Sequence, residues 1–147
     1  MGDTNQTSIA VVAESTFGVT PTNGMTFTRF TGESLAFNID NTQSNEIRAD
    51  RNVQDIIRTN ASVAGDLNFE LSYGTYDTLL EGLMMSTYSS NVLKNGSTLK
   101  SFSLEKKFEL GSTDKFHLFK GCRIGSMGLN ISAGEIVTGS FTVLGKN

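Results

Sequence analysis

Nucleophilic and acid–base chemistry near neutral pH draws on cysteine, histidine and carboxylates, and this 147-residue chain has one cysteine, Cys122, and one histidine, His117. The two are close in sequence, His117 within the strand-like run Phe116 to Phe119, and no third group is spaced to orient a base. A structural histidine and an unreactive thiol therefore outweigh a hydrolase built on Cys122. Metal chemistry has no footing: there is no CxxC, no pair of histidines and no spaced Asp/Asn/Gly calcium loop, so neither metal nor cofactor is expected. Asp66 with Glu70, and Glu105 with Glu109, are paired carboxylates, but each pair alternates with apolar residues on what reads as the polar face of a strand. A glycosidase would place one of them in an apolar cleft. The NxS/T triplets at Asn5, Asn60, Asn95 and Asn130 carry no weight, because Met1 to Thr7 has neither a basic region nor an apolar run and no secretory signal is expected.

Composition narrows the class further. A formal net charge of −3 without a Lys/Arg cluster gives no general affinity for nucleic acid or anionic membrane. No run approaches the roughly 18 apolar residues of a membrane helix. A single cysteine forbids an intrachain disulfide and is compatible with a reducing compartment. The length suits one domain, 1–147, with a real hydrophobic core. Apolar content of 37% and charged content of 18% leave room for an excess of Thr, Ser, Asn and Gly, which favours strands and turns over surface helices.

The hydrophobic pattern supplies the elements that would position these residues. Ser8 to Ala13 is apolar and leads into the Ser/Thr/Gly/Pro segment Glu14 to Asn23, so residues 1–24 read as an N-terminal arm or a first strand and turn. Met25 to Phe30 and Leu35 to Ile39 alternate at period two and read as half-buried strands joined by a turn at Thr31-Gly32. Ala61 to Tyr73 is the clearest strand, with Val63, Leu67, Phe69, Leu71 and Tyr73 on one face and Asp66 and Glu70 on the other. Gly65 falls in its apolar register, where a bulge or bend fits. Tyr76, Leu79, Leu80, Leu83 and Met84 then follow helical spacing, with Thr75 as N-cap and Asp77 in the first turn. Ser86 to Thr98 reads as a loop. Leu99 to Leu110 alternates Phe102, Leu104, Phe108 and Leu110 against Ser103, Glu105, Lys107 and Glu109, with Lys106 as the exception on the apolar side. Gly111 to Asp114 is a turn, Lys115 to Lys120 a short strand, and Arg123 to Ser132 and Ile136 to Leu144 a closing pair around Ala133-Gly134-Glu135. The sum is seven or eight strands and one helix: mainly β, an antiparallel sandwich or barrel with one flanking α-helix and a long extended loop.

That loop, Asp40 to Thr59, differs in kind. It sets Asp40, Glu46, Asp50 and Asp55 against Arg48, Arg51 and Arg58, and adds Ile47, Val53, Ile56 and Ile57. A structureless connection of about 20 residues is unusual in a compact domain unless it has a function. A solvated loop accounts for the charges alone. An extended loop or hairpin that meets an identical neighbour accounts for the isoleucines too, since mixed-sign charge sets register between partners. Glu46, Arg48, Asp50, Arg51, Asp55 and Arg58 are therefore the candidate contact residues. The long strand Ala61 to Tyr73 points the same way, because a flat strand edge has to be covered or joined.

Three stretches together resemble the tail tube proteins of long-tailed, siphovirus-type phages: ESTFGVTP at Glu14 to Pro21, SNEIRADRNVQDIIRT at Ser44 to Thr59 running into GDLNFELSYGTYDTLLEGLM at Gly65 to Met84, and GLNISAGEIVTGSFTVLGK at Gly128 to Lys146. The resemblance implies a structural virion protein, not an enzyme. It implies hexameric rings that stack into a hollow tube, with inner sheets joined around the lumen and the 40–59 loop reaching neighbouring subunits or the next ring. The implied partners are copies of the chain, a tape-measure protein, a tail terminator and a distal tail protein, with double-stranded DNA in transit but not specifically bound. An acidic lining would keep duplex DNA from sticking, which makes Asp66, Glu70, Glu105 and Glu109 the candidate lumen residues. The alternative is a monomeric β-barrel holding a small apolar ligand among Phe102, Phe108, Phe116, Phe119 and Phe141.

Overall fold

A computed structural model describes residues 7–22, 24–45, 56–110 and 113–146, with the side chain of Leu110 outside that set. Among the described residues there are eight strands and one helix: β1 Thr7–Glu14, β2 Thr26–Thr28, β3 Gly32–Glu33, β4 Ala36–Gln43, β5 Ile56–Glu70, α1 Asp77–Leu83, β6 Ser101–Leu110, β7 Thr113–Asn130 and β8 Thr138–Gly145. The fold is mainly β, one curled antiparallel half-barrel ordered β2-β1-β6-β7-β8-β5-β3, with β4 also on β5.

The curl originates in β7. Its first part pairs with β6 up to Cys122, and from Arg123 onward it pairs with β8. Phe102 faces Cys122 while Leu104 faces Phe119, so Ser103 alone opposes both Lys120 and Gly121. Two residues against one is a bulge, and Gly121 accepts the φ of +62° it requires. A second register shift leaves Gly125 as the extra residue between Ile124 and Ser126. These bends turn the strand from one half of the sheet into the other, which is why the two predicted strands at Lys115 to Lys120 and Arg123 to Ser132 are one continuous element.

Inside the curl lie Ile9, Val11, Val63, Leu67, Phe69, Phe102, Leu104, Phe119, Phe141 and Val143, all buried. The alternation predicted for β5 and β6 places these residues inward, as strand geometry requires. α1 closes the core through Tyr76 and Leu79. Phe69 stacks on Phe141 at 4.7 Å between ring centroids and tilts against Tyr76 at 4.6 Å. The Tyr76 hydroxyl lies 2.9 Å from the carbonyl of Arg29 and 3.1 Å from that of Glu70, so it donates where three segments meet.

Several expectations are corrected. Met25 to Phe30 and Leu35 to Ile39 do not pair around Thr31-Gly32. β2 joins β1 at one end of the sheet and β4 joins β5 at the other, and Gly32–Glu33 between them adds a short strand to β5. Phe27, Phe37 and Ile39 are exposed instead of half-buried. Thr75 does not cap α1. Tyr76 holds the cap position without a side-chain bond, and the Thr75 hydroxyl accepts from Ser72 at 2.7 Å. The strand predicted to run to Tyr73 ends at Glu70. There the Leu71 N–H turns to the Val137 carbonyl, and Leu71 and Tyr73 are left in solvent. Gly65 makes no bulge; it lies where the chain between β3 and β4 presses on β5, and a Cβ there would come 2.5 Å from the Ser34 carbonyl oxygen. The first strand and turn, not a free arm, describe residues 7–22, because β1 is inserted between β2 and β6.

Two polar contacts, neither apparent in the pattern, hold the halves in place. The Glu14 carboxylate accepts from the Gly18 N–H at 2.8 Å and the Ser101 hydroxyl at 2.7 Å through one oxygen. Through the other it accepts from the Ser103 hydroxyl at 2.7 Å and the Gly121 N–H at 2.9 Å. Ser103, expected on the polar face, is wholly buried for this reason. Lys106, the apolar-side exception, forms an ion pair with Glu33 across the curl and lies over the Phe108 ring at 4.5 Å.

Burial alone would raise the Glu14 pKa, but the bonds from Gly121, Ser101, Gly18 and Ser103 together bring it below its ordinary 4.5. The folded state therefore gains stability from the carboxylate above pH 4.5, and that gain disappears as pH falls through the lowered folded value. Glu14→Gln, which cannot accept at both positions, is expected to cost about 1–3 kcal/mol at neutral pH. The gap to wild type should close in acid, as read by urea denaturation across pH. Gly65→Ala is expected to cost about 1–3 kcal/mol by forcing the Ser34 backbone away, as read by the thermal midpoint.

Candidate interaction surface

Cys122 and His117 do not make a nucleophilic site. The thiol is fully buried at the bend of β7, and desolvation, with the nearby Glu14 charge, pushes its pKa up to about 12. His117 is on the exposed part of β7, edge-on to Phe108 at 5.2 Å. Among the described residues no cluster of His, Cys, Asp or Glu could hold a metal ion. The phenylalanines proposed to line a ligand cavity divide among other tasks. Phe102, Phe119 and Phe141 fill the core, Phe108 is half-buried and Phe116 is exposed.

The 40–59 segment begins and ends as a paired ribbon. β4 runs beside β5 from Ala36–Ala64 to Gln43–Ile56, with a register shift after Asp40. Every residue of β4 is exposed, as are Ile56 to Asn60 of β5. A strand pair buried on neither face extends beyond the domain's own core. Arg58 lies over the Phe37 ring at 5.4 Å, and Ile39, Ile56 and Ile57 are exposed beside it. Of the six candidate contact residues only Arg58 is among the described residues. Glu46, Arg48, Asp50, Arg51 and Asp55 lie outside them, as do Ile47 and Val53.

The four candidate carboxylates separate onto two surfaces. Asp66 and Glu70 share the outward face of β5 with Asn68. Across the sheet the rows continue as Thr142 and Ser126, Ser140 and Gly128, and Thr138 and Asn130. In those three rows the two carboxylates are the only formal charges, and Asp66 accepts from the Thr142 hydroxyl at 2.8 Å. Glu105 and Glu109 belong to β6, where Lys107 bridges Glu109 at 2.9 Å and Asp114 at 3.0 Å. Exposed Leu118 and Phe116 of β7 face Glu105 and Lys107 across the strands. The three rows with Asp66 and Glu70 are polar and acidic and give way to exposed Leu144 and Arg123 in the next row; the β6 surface is mixed in charge and partly apolar.

The sheet also ends in open edges. β2 covers only Ile9 to Val11 of β1, and β4 lies at the far side with its outer edge unpaired among the described strands. Such edges template pairing with another chain. Sequence reasoning finds the edge problem in β5, whereas the structure moves it to the flanking strands.

The family model described as phage tail tube protein matches residues 4–147. Among solved structures the chain is similar to the SPP1 tail tube, with a TM-score of 0.65 over 100% of this chain and 77% of that one at 8% identity. It is similar to the tail of an empty GTA particle refined with C6 symmetry, at 0.60 over 100% and 96% with 7% identity. A chain of the six-fold symmetrised anti-feeding prophage baseplate gives 0.58 over 94% and 87% at 9% identity. At such identities the likeness is one of fold. No curated protein matches in sequence.

The buried thiol gives a direct check on this assignment of roles. Native protein at pH 8 is expected to leave Cys122 unlabelled by a thiol reagent that modifies it fully in urea, and Cys122→Ser should assemble as the wild type does.

Proposed function

Because the chain belongs to the phage tail tube protein family, and is thus a structural tail component and not an enzyme, we propose that its copies form hexameric rings that stack into the tube through which DNA is ejected. The observation that carries this reading is the β4–β5 ribbon, in which all eight residues of β4 are exposed together with Ile56, Ile57 and Arg58 of β5. Such a surface is costly in an isolated protein and useful at a subunit contact. The C6 symmetry of the GTA tail and the six-fold baseplate support sixfold rings. Open edges at β2 and β4 suit closure between neighbours, which removes edges without burying them in the monomer.

The Asp66–Glu70 face is the better candidate for the lumen. Three rows of Ser, Thr, Asn, Gly and carboxylate repel phosphates, and the one cation in the adjoining row, Arg123, lies over the Phe17 ring at 4.8 Å, so a duplex slides past without sticking. Glu109, engaged with Lys107, and Glu105 beside it belong to the other surface and suit subunit contacts more. A tape-measure protein before ejection, and terminator and distal tail proteins at the two ends, complete the proposed set of partners.

Wild-type protein is expected to form hollow tubes in negative-stain electron microscopy as its concentration rises. Arg48→Glu with Arg51→Glu and Arg58→Glu should abolish them while the circular dichroism of the monomer is unchanged; tubes from that variant would remove the contact role. Asp66→Lys with Glu70→Lys should still give tubes, but tubes that retain duplex DNA at low salt and release it as salt rises. Equal DNA retention by wild type and variant would rule out this face as the lining.

A further inference from the structure

We propose that the lane beyond the end of β8 is a docking site for an extended segment of a different protein, apolar at alternate positions and acidic at its ends, which adds a strand to β7. It is separate from the ring and stacking contacts proposed above. β8 is flanked on both sides, by β7 from Arg123 to Asn130 and by β5 from Val63 to Glu70. It ends at Gly145, and both neighbours run on past it. Val63 pairs with Phe37 of β4 as well as with Gly145, so β4 holds the opposite edge of β5 and leaves Ile56 to Ser62 open on the β8 side. β7 from Thr113 to Phe119 pairs with β6 alone. Two open edges thus border the line of β8. Where β8 ends they lie roughly 10 Å apart, which is room for one strand.

A groove follows each edge. One, of 440 Å³, is lined by Phe116, His117, Leu118, Phe119 and Lys120 of β7 with Phe37 of β4. The other, of 380 Å³, is lined by Arg58, Thr59, Asn60 and Ala61 of β5 with Lys146. Successive side chains of a strand point to opposite faces, so an unbroken run of consecutive residues means that the backbone edge itself borders the groove. Its unpaired N–H and C=O groups need a main-chain partner, and an extended peptide supplies one while its alternate side chains enter the flanking pockets. Phe37, Phe116 and Leu118, all exposed, give those pockets apolar walls. The two linings hold Lys120, Arg58 and Lys146 and no carboxylate. β4 and β7 have one acid each: Asp40 accepts from the Asn60 amide at 3.3 Å, and Asp114 bridges Lys107 at 3.0 Å. Glu105 and Glu109 lie on β6, across β7 from the lane. Carboxylates on the incoming segment therefore meet cations. The lane lies within the sheet and not at its flank, and the edge strand of a folded copy brings its own sheet with it, so a single free segment is what fits.

Amide hydrogen exchange tests the site. Protein kept dilute enough to stay monomeric is titrated with a synthetic Glu-Val-Thr-Val-Thr-Val-Glu peptide. At saturation the amides of residues 113–120 are expected to exchange roughly tenfold more slowly or better, with those of β2 and β4 unchanged. The same peptide with lysine at both ends should bind roughly tenfold more weakly. Lys120→Glu with Lys146→Glu should reverse that order while melting as the wild type. N-methylation of alternate peptide amides, which removes the main-chain donors along one edge, should abolish binding. No binding of the acidic peptide, equal binding of the two peptides, or protection at β2 or β4 in place of 113–120 overturns the docking site. Protection of 113–120 on raising the protein concentration without peptide gives the lane to a second copy and overturns the assignment to a different protein.

Discussion

The half-barrel depends on one bend in one strand, and that bend is held by a single carboxylate. β7 is shared between the two halves of the sheet, and it changes partner where Gly121 bulges opposite Ser103. A bulge frees a backbone N–H, and an unbonded N–H near the core is costly. Glu14 accepts it, and binds Ser101, Ser103 and the 15–18 turn with its remaining capacity. Everything that follows from the curl, including the enclosed core, the outward polar face of β5 and the direction of the β4–β5 ribbon, is set by how this strand turns.

What the sequence makes legible is what depends on local period. Alternation over Val63, Leu67 and Phe69, and over Phe102 and Leu104, identifies inward faces because residues two apart in a strand share a side whatever the partner. Helical spacing at Tyr76 and Leu79 does the same for α1. The misreadings share one cause: partner choice is non-local. Two neighbouring strands around Thr31-Gly32 look like a hairpin, yet β2 and β4 find partners at opposite ends of the sheet. Gly121 looks like punctuation between two strands and is a bulge within one. Glu14 looks like the polar end of an apolar run, and its partners lie 87, 89 and 107 positions away.

The candidate surfaces were legible to the same degree. Alternation identifies Asp66, Glu70, Glu105 and Glu109 as outward-facing, but only topology shows that the first two share rows with Ser, Thr and Asn and the last two adjoin Lys107. The mixed charge of residues 40–59 marks a segment that does not belong to the core. Its exposed β4 and the exposed isoleucines of β5 are the structural form of that signal. The exposure of Leu71 and Tyr73 is hidden from pattern reading, because period two continues through them after the strand itself has ended.

The ribbon and the core strand are one piece of chain, and that has a mechanical consequence. A pull on the ribbon along its length reaches β5 along the strand axis, where the ladder from Val63–Gly145 to Glu70–Thr138 resists it. Inter-strand hydrogen bonds lie across the strands, so such a load shears them together instead of peeling them one at a time. β5 is thereby anchored like a lap joint, and a load on the ribbon is spread over the whole ladder of the sheet.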